Sequence, residues 1–339
     1  MRITTFSTVL VSALILSSGC ISNSDNSVEK TNLSIFQPPL SRLDNQPRSA
    51  EDQAKVDLGR HLYYEKRLSS NDAIACNSCH LLDKYGVDGR DFSLGVPGTP
   101  VGRNSPTTYH AYAHIAQFWD GREPTVEEQA KGPILAGKEM GMPSPAAVVA
   151  KLKGIPAYPP LFKQAFPRDE DPVTYNNLGT AIGAFERNLA TPARWDEFLK
   201  GDSKSLNAKE KEGLKQFTTL GCTTCHSGTM LGGSSFQKLG AIRPWPNQAD
   251  QGLKAITGKD EDAMKFKVPS LRNIEKTGPY FHDSSEKTLA GAVQKMARHQ
   301  VGLELTPDQN AAIIAFLETL TGEIPTEYIK PRPLPPPPN

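Results

Sequence analysis

Apolar residues recur at helical spacing through most of the chain. Leu178, Ile182, Phe185 and Leu189 fall on one helical face, as do Ile313, Phe316, Leu317 and Leu320. A stripe of this period marks a helix that buries one side. Ser49 with Asp52 opens a helix through KVDLGRHLYYEKRL, Thr125 with Glu128 opens another through VEEQAKG, and TPDQ starts a third at Thr306. At such starts a short side-chain oxygen accepts an amide hydrogen that the first turn leaves unpaired. Strand-like alternation is scarce. The pattern predicts an all-α protein whose long connections are punctuated by Gly and Pro.

A weak repeat divides the pattern in two. GRHLYYEKRLSSNDAIACNSCH and GLKQFTTLGCTTCH both run from a helix with a Gly and aromatics into Cys-x-x-Cys-His. Two related domains, 49–200 and 201–325, are the economical reading. Residues 21–48, rich in Ser, Asn and Pro, read as a polar linker, and 326–339, ending in KPRPLPPPPN, as a Pro-rich spacer. Residues 1–20, MRITTFSTVLVSALILSSGC, read as a signal peptide of lipoprotein type. LSSGC resembles a lipoprotein processing site with its leucine one place early, and a lipid on Cys20 accounts for the one cysteine outside the repeat. The chain is therefore expected in the periplasm, touching a membrane only through Cys20. No other apolar run is long enough to span a bilayer. With 38 Lys and Arg interspersed among 37 Asp and Glu, the 339 residues carry a net charge of +1, which gives nucleic-acid binding no support.

The chemistry lies in the two motifs, Cys76/Cys79/His80 and Cys222/Cys225/His226. A thioredoxin-like dithiol needs an α/β context and no histidine. A structural zinc site needs its ligands brought together. Covalent haem c uses both thiols as thioethers and the adjacent imidazole as an iron ligand. Export, duplication and a helical background favour haem, with His80 and His226 as proximal ligands. Met296, on a helix after the second motif, could offer its thioether to iron or simply pack in a core; spacing alone does not choose.

Several segments resemble the bacterial di-haem cytochrome c peroxidase family: RNSPTTYHAYAHIAQFWDGR, EEQAKGPILAGKEM, GCTTCHSGTMLGG, KVPSLRNIEKTGPYFHD and AVQKMARHQVG. The resemblance implies two cytochrome c-like domains, 49–200 peroxidatic and 201–325 for electron transfer. It also implies two covalently bound haem c groups, a Ca2+ near their interface, and a small c-type cytochrome or cupredoxin as electron donor to hydrogen peroxide. A homodimer is common in the family. On the same resemblance Met296 is the second ligand of the His226 haem, which raises its potential. Glu139 is the catalytic acid/base and Gln129 its neighbour that orients peroxide. Trp119 lies between the haems, and Asn104, Thr277 and Pro279 hold calcium. Related MauG-type oxidases instead use peroxide to modify a partner protein, and a plain electron carrier is the non-enzymatic alternative. The histidines at 61, 110, 114 and 299 read as structural, and His282 belongs to a family motif without being claimed as a ligand.

One departure stands out. Many family members carry a histidine after the first motif that caps the peroxidatic iron until the other haem is reduced, but no histidine occurs from Leu81 to Asn104, and its place falls at Val96. The far side of the His80 haem is therefore expected to be open at rest. Electron paramagnetic resonance of the fully oxidised protein at neutral pH should show one high-spin and one low-spin ferric haem. Two low-spin signals would mean that another side chain, such as Tyr85 or a displaced histidine, caps the first iron.

Overall fold

Secondary structure in the computed structural model, which describes residues 32–41 and 48–334, is mostly helical. The expected signal segment with Cys20 lies outside the described residues. In chain order the helices are α1 (Ala50–Tyr63), α2 (Cys76–Cys79), α3 (Val126–Leu135), α4 (Pro145–Lys153), α5 (Tyr158–Ala165) and α6 (Tyr175–Glu186). They continue with α7 (Arg194–Leu199), α8 (Ala208–Thr219), α9 (Lys254–Thr257), α10 (Leu289–Met296), α11 (Pro307–Glu318) and α12 (Thr326–Ile329). The expected starts are present: Ser49, Thr125 and Thr306 each accept the amide hydrogen of the residue three positions on. The expectation of an all-α chain needs one correction. Strands β1 (Phe236–Lys238) and β2 (Lys265–Lys267) pair antiparallel, Phe236 opposite Lys267. Three residues each are too few to show an alternation in sequence.

Two helix crossings build the molecule, and a glycine permits each of them. A Cβ on Gly59 of α1 would lie 1.8 Å from the Ala181 carbonyl oxygen and 3.0 Å from the Phe185 Cβ of α6. A Cβ on Gly213 of α8 would lie 1.9 Å from the Ala312 carbonyl oxygen and 2.9 Å from the Phe316 Cβ of α11. In both, bare backbone meets the carbonyl of an alanine four residues before a buried phenylalanine. The sequence repeat is thus a repeat of packing.

Each crossing anchors a hydrophobic core. The first collects α1 and α3 to α6, with Leu62, Tyr63, Ile134, Phe162, Ile182 and Phe185 at 0 % exposure. The second collects Leu214, Phe217, Ile313, Phe316 and Leu320 around Trp195. Trp195 and Phe198 of α7, within the expected first domain, face the second core.

The segments at both ends each bury an aromatic on the distant half. Phe36, inside the expected linker, is fully buried edge-on to Trp195 at 5.2 Å. Tyr328, inside the expected spacer, stacks on Phe185 at 5.1 Å. A short apolar patch carries no period, so pattern reading passes over it. No helix among the described residues is long and apolar enough to cross a membrane.

Gly59→Ala tests the crossing. Alanine favours a helix interior over glycine by about 1 kcal/mol, but here the new methyl meets fixed backbone, and overpacking costs about 1–3 kcal/mol. Denaturant unfolding should show a net loss of stability, whereas Gly102→Ala, with nothing within 4 Å of its Cβ, should change it by less than about 0.5 kcal/mol.

Candidate functional site

The first motif begins the short helix α2, where the Ser78 hydroxyl accepts the Ala75 amide hydrogen at 3.0 Å. His80 follows, its carbonyl held by the Tyr63 hydroxyl at 2.9 Å. Its Nδ1 lies 3.3 Å from the Gly86 carbonyl oxygen. A carbonyl only accepts, so Nδ1 carries the hydrogen and Nε2 keeps a free lone pair. Gly86 has φ +75°, and a Cβ there would sit 2.9 Å from the Thr108 nitrogen, so no other residue fits the turn without strain. The second motif repeats the device, with His226 Nδ1 3.0 Å from the Leu231 carbonyl oxygen. Burial holds both imidazoles below the ordinary histidine range, hence neutral. A neutral ring oriented by a carbonyl, with Nε2 as the unprotonated nitrogen, is what an iron ligand requires.

The thiols agree with this. Burial raises all four, Cys222 to about 11. A redox dithiol is activated by the opposite shift. The four cysteines are unpaired, and among the described residues no three His, Cys, Asp or Glu side chains converge as a metal-binding group. Protonated thiols beside a neutral, oriented histidine fit thioether attachment of haem.

Glu139 lies beyond α3, in a chain that folds back along the end of that helix. Met140 and Met142 amides donate to the Pro133 and Ile134 carbonyls at 3.1 and 2.8 Å. This returns Glu139 toward the helix that carries Gln129. Neither the Glu139 carboxyl nor the Gln129 amide hydrogen-bonds to a described side chain or backbone group, although both residues are half-buried. Burial raises Glu139 above the usual carboxylate range, opposed by Arg122, and its charge in turn raises the Cys79 thiol. The acid and the first motif therefore share one electrostatic neighbourhood.

Val96 is packed against this same segment. Its amide donates to the Glu139 carbonyl at 2.7 Å, and a Cβ on neighbouring Gly95 would fall 1.7 Å from the Lys138 carbonyl oxygen. Tyr85 is engaged elsewhere, its hydroxyl donating to the Gly322 carbonyl at 3.2 Å.

Trp119 joins the halves. Its indole N–H donates to the Asn104 carbonyl at 2.9 Å, and it packs against the cluster of Trp245, Met264 and Phe266, as Phe281 and Met296 also do. Met296 ends α10, and a π-helical turn, Ala297–Val301, follows at once; such turns are frequent at functional sites. Val293, three residues earlier, packs in the core that contains Cys222. Val293 and Cys222 thus share one core, while Met296 and Trp119 both pack against the cluster of Trp245, Met264 and Phe266. His282 is buried in the same seam, stacked on Phe266 at 4.3 Å and edge-on to Trp119 at 6.3 Å. Asn104 donates to the Arg90 and His282 carbonyls through its side-chain and backbone nitrogens, and Pro279 follows a cis peptide in the segment that ends at His282. No hydrogen bond joins Asn104 to Thr277 or Pro279 themselves.

The di-haem cytochrome c peroxidase family model matches residues 53–204. A cytochrome c551 peroxidase of Nitrosomonas europaea is 42 % identical over 279 residues, covering 81 % of this chain and 82 % of its own. The chain belongs to the di-haem cytochrome c peroxidase family. The cytochrome c551 peroxidase of Pseudomonas aeruginosa is 38 % identical, covering 87 % of this chain and 86 % of its own. Among solved structures, a MauG-like protein associated with microbial copper homeostasis superposes with a TM-score of 0.74 at 29 % identity, covering 87 % of this chain and 97 % of that one. The chain is an enzyme of the cytochrome c peroxidase class, and membership implies haem cofactors, peroxide as substrate and a redox partner.

Sequence reading missed the residues that act through backbone. Gly86, Gly95 and Leu231 carry no reactive group, and only the closeness of the chains identifies them. Arg122, stacked over the Phe118 ring at 3.4 Å, sat within a quoted motif without a role. Gly95→Ala should displace the Glu139 segment. Since a misplacement of about 1 Å can cost about 100-fold, steady-state peroxide turnover should fall by that order while the pyridine haemochrome count stays at the native value.

Proposed function

We propose that the protein reduces hydrogen peroxide to water at a haem c bound by Cys76, Cys79 and His80. Electrons come from a small c-type cytochrome or cupredoxin by way of a second haem c on Cys222, Cys225, His226 and Met296. The observation that carries this reading is Glu139, an unpaired, half-buried acid with a raised pKa, close enough to the first motif to be felt by Cys79.

When bound, the haem supplies the electrons that break the O–O bond. The chain supplies the proton path. The Glu139 carboxylate accepts the proton on the near oxygen of peroxide and returns it to the far oxygen, which departs as water. Gln129 holds the substrate by hydrogen bonding. Trp119, in contact with the Met296 cluster, offers an aromatic path between the halves. Two protons and two electrons per peroxide give two waters. Ca2+ held by Asn104, Thr277 and Pro279 belongs to the same proposal, and so do export to the periplasm and a lipid on Cys20. The Asn104 oxygen Oδ1 accepts no hydrogen bond among the described residues, which suits an oxygen-ligating cation.

A second reading, oxidation of a partner protein as in MauG-type enzymes, is favoured by one observation: the loop from Leu81 to Asn104 has no histidine. Met296 favours peroxide reduction.

Turnover with a reduced cytochrome donor separates the readings. Glu139→Gln should cost about 100- to 10,000-fold in kcat/KM for peroxide. Glu139 must be ionised to accept the proton. The native rate should therefore rise with pH through a value above the ordinary 4.5 for a glutamate, and Glu139→Gln should lose that limb. No donor turnover, with a long-lived oxidised state after peroxide, would favour partner oxidation. No reaction with peroxide at all would leave an electron carrier.

A further inference from the structure

Lys267 ends β2 with its side chain inside the seam between the halves, 8 % exposed. Its ammonium lies 3.0 Å from His114 Nδ1, an uncharged acceptor, and makes no ion pair among the described residues. The carboxylate whose charge acts on it is Asp120, and two guanidiniums already hold that group, Arg103 at 2.6 Å and Arg122 at 3.0 Å. Asp250 is likewise occupied by Arg103 at 2.6 Å. The cluster therefore sets three cations, Arg103, Arg122 and Lys267, against two carboxylates, Asp120 and Asp250. The second ring nitrogen of His114, Nε2, is also buried, with no partner among the described residues.

A buried ammonium is unfavourable unless an anion compensates it. Lys267 has donors to spare and a surplus charge, which points to a carboxylate that the described residues do not provide. The second motif is adjacent. The turn that gives His226 its Leu231 carbonyl continues to Gly233, whose amide donates to the Val268 carbonyl and whose carbonyl accepts from Ile115, both at 2.7 Å. A Cβ on Gly233 would lie 2.4 Å from His114 Cδ2. The loop behind the iron ligand is thus in contact with the residues that flank the cation.

We propose that Lys267, positioned by His114, holds a propionate of the haem attached at Cys222 and Cys225. This rests on reading that motif as a haem c site. The pair has an electronic consequence. A cation beside the propionate disfavours the ferric state, which carries one more positive charge than the ferrous. It therefore raises the reduction potential, in the same direction as the Met296 thioether.

The test is a spectroelectrochemical titration of the di-haem protein, with haem counted by pyridine haemochrome. Lys267→Gln should shift the reduction equilibrium of the Met296-ligated haem toward the ferric form by tenfold or more, about 59 mV for one electron. Lys267→Arg should stay near the native value, and the His80 haem should move less. His114→Gln, which keeps the ammonium but loses its support, should shift the same haem by a smaller amount and serves if Lys267→Gln loads poorly. Unchanged potentials at full haem content would overturn the proposal, as would a shift confined to the His80 haem or Lys267→Arg moving as far as Lys267→Gln. A native protein with one haem would instead overturn the reading beneath it.

Discussion

The close approach of two helices at a glycine governs this structure. In each half a helix that leads into Cys-x-x-Cys-His meets a later helix with no side chain between them. The approach is short enough to bury Phe185 or Phe316 completely beside the crossing. Burial of such a ring is worth about 1.5–3 kcal/mol, and it becomes available only because the glycine removes a Cβ. With the crossing set, the motif that follows the first helix starts from a fixed place, and a backbone carbonyl a few residues later can turn the imidazole. The whole proximal arrangement is therefore built of backbone, glycine and buried aromatics, with the reactive groups added at the end.

The two halves differ on the other side of the motif. Behind His80 the chain returns through the Val96 loop and Glu139, where an amide-to-carbonyl bond at 2.7 Å and the bare backbone of Gly95 hold an acid in place. Behind His226 it delivers α10 with Met296 and an aromatic cluster that reaches Trp119. One repeat thus yields a half with an unpaired acid and a half with a thioether. The seam between them is polar and charged, tied by Arg103, Asp120 and Asp250. A fully buried ion pair, Asp196 with Arg272 at 2.6 and 2.8 Å, lies in the second half. Breaking such a pair by removing one partner strands a buried charge, at about 3–5 kcal/mol.

Much of this was legible in the sequence because it has a period or a motif. Helix starts at Ser49, Thr125 and Thr306, the buried stripe of α6 and the repeated order of a helix glycine followed by Cys-x-x-Cys-His all follow from local rules. The acid was legible only through family resemblance, since a glutamate in GKEMGMP has no local signature. What escaped has a common cause. Phe36 and Tyr328 sit in short apolar patches too brief to show a period, and are buried by Trp195 and Phe185, which lie far away along the chain. The Gly95 approach and the Lys267–His114 contact likewise exist only once distant segments meet.

We propose that the His80 side is ready for peroxide without prior reduction, because no histidine occurs from Leu81 to Asn104 and the Glu139 segment is already clamped by the Val96 amide. Stopped-flow mixing of the fully oxidised di-haem protein with one equivalent of hydrogen peroxide tests it most directly. The account predicts an immediate haem absorbance change at a rate that pre-reduction of the second haem does not increase. A protein that is silent when fully oxidised and reacts only after taking up one electron would contradict it.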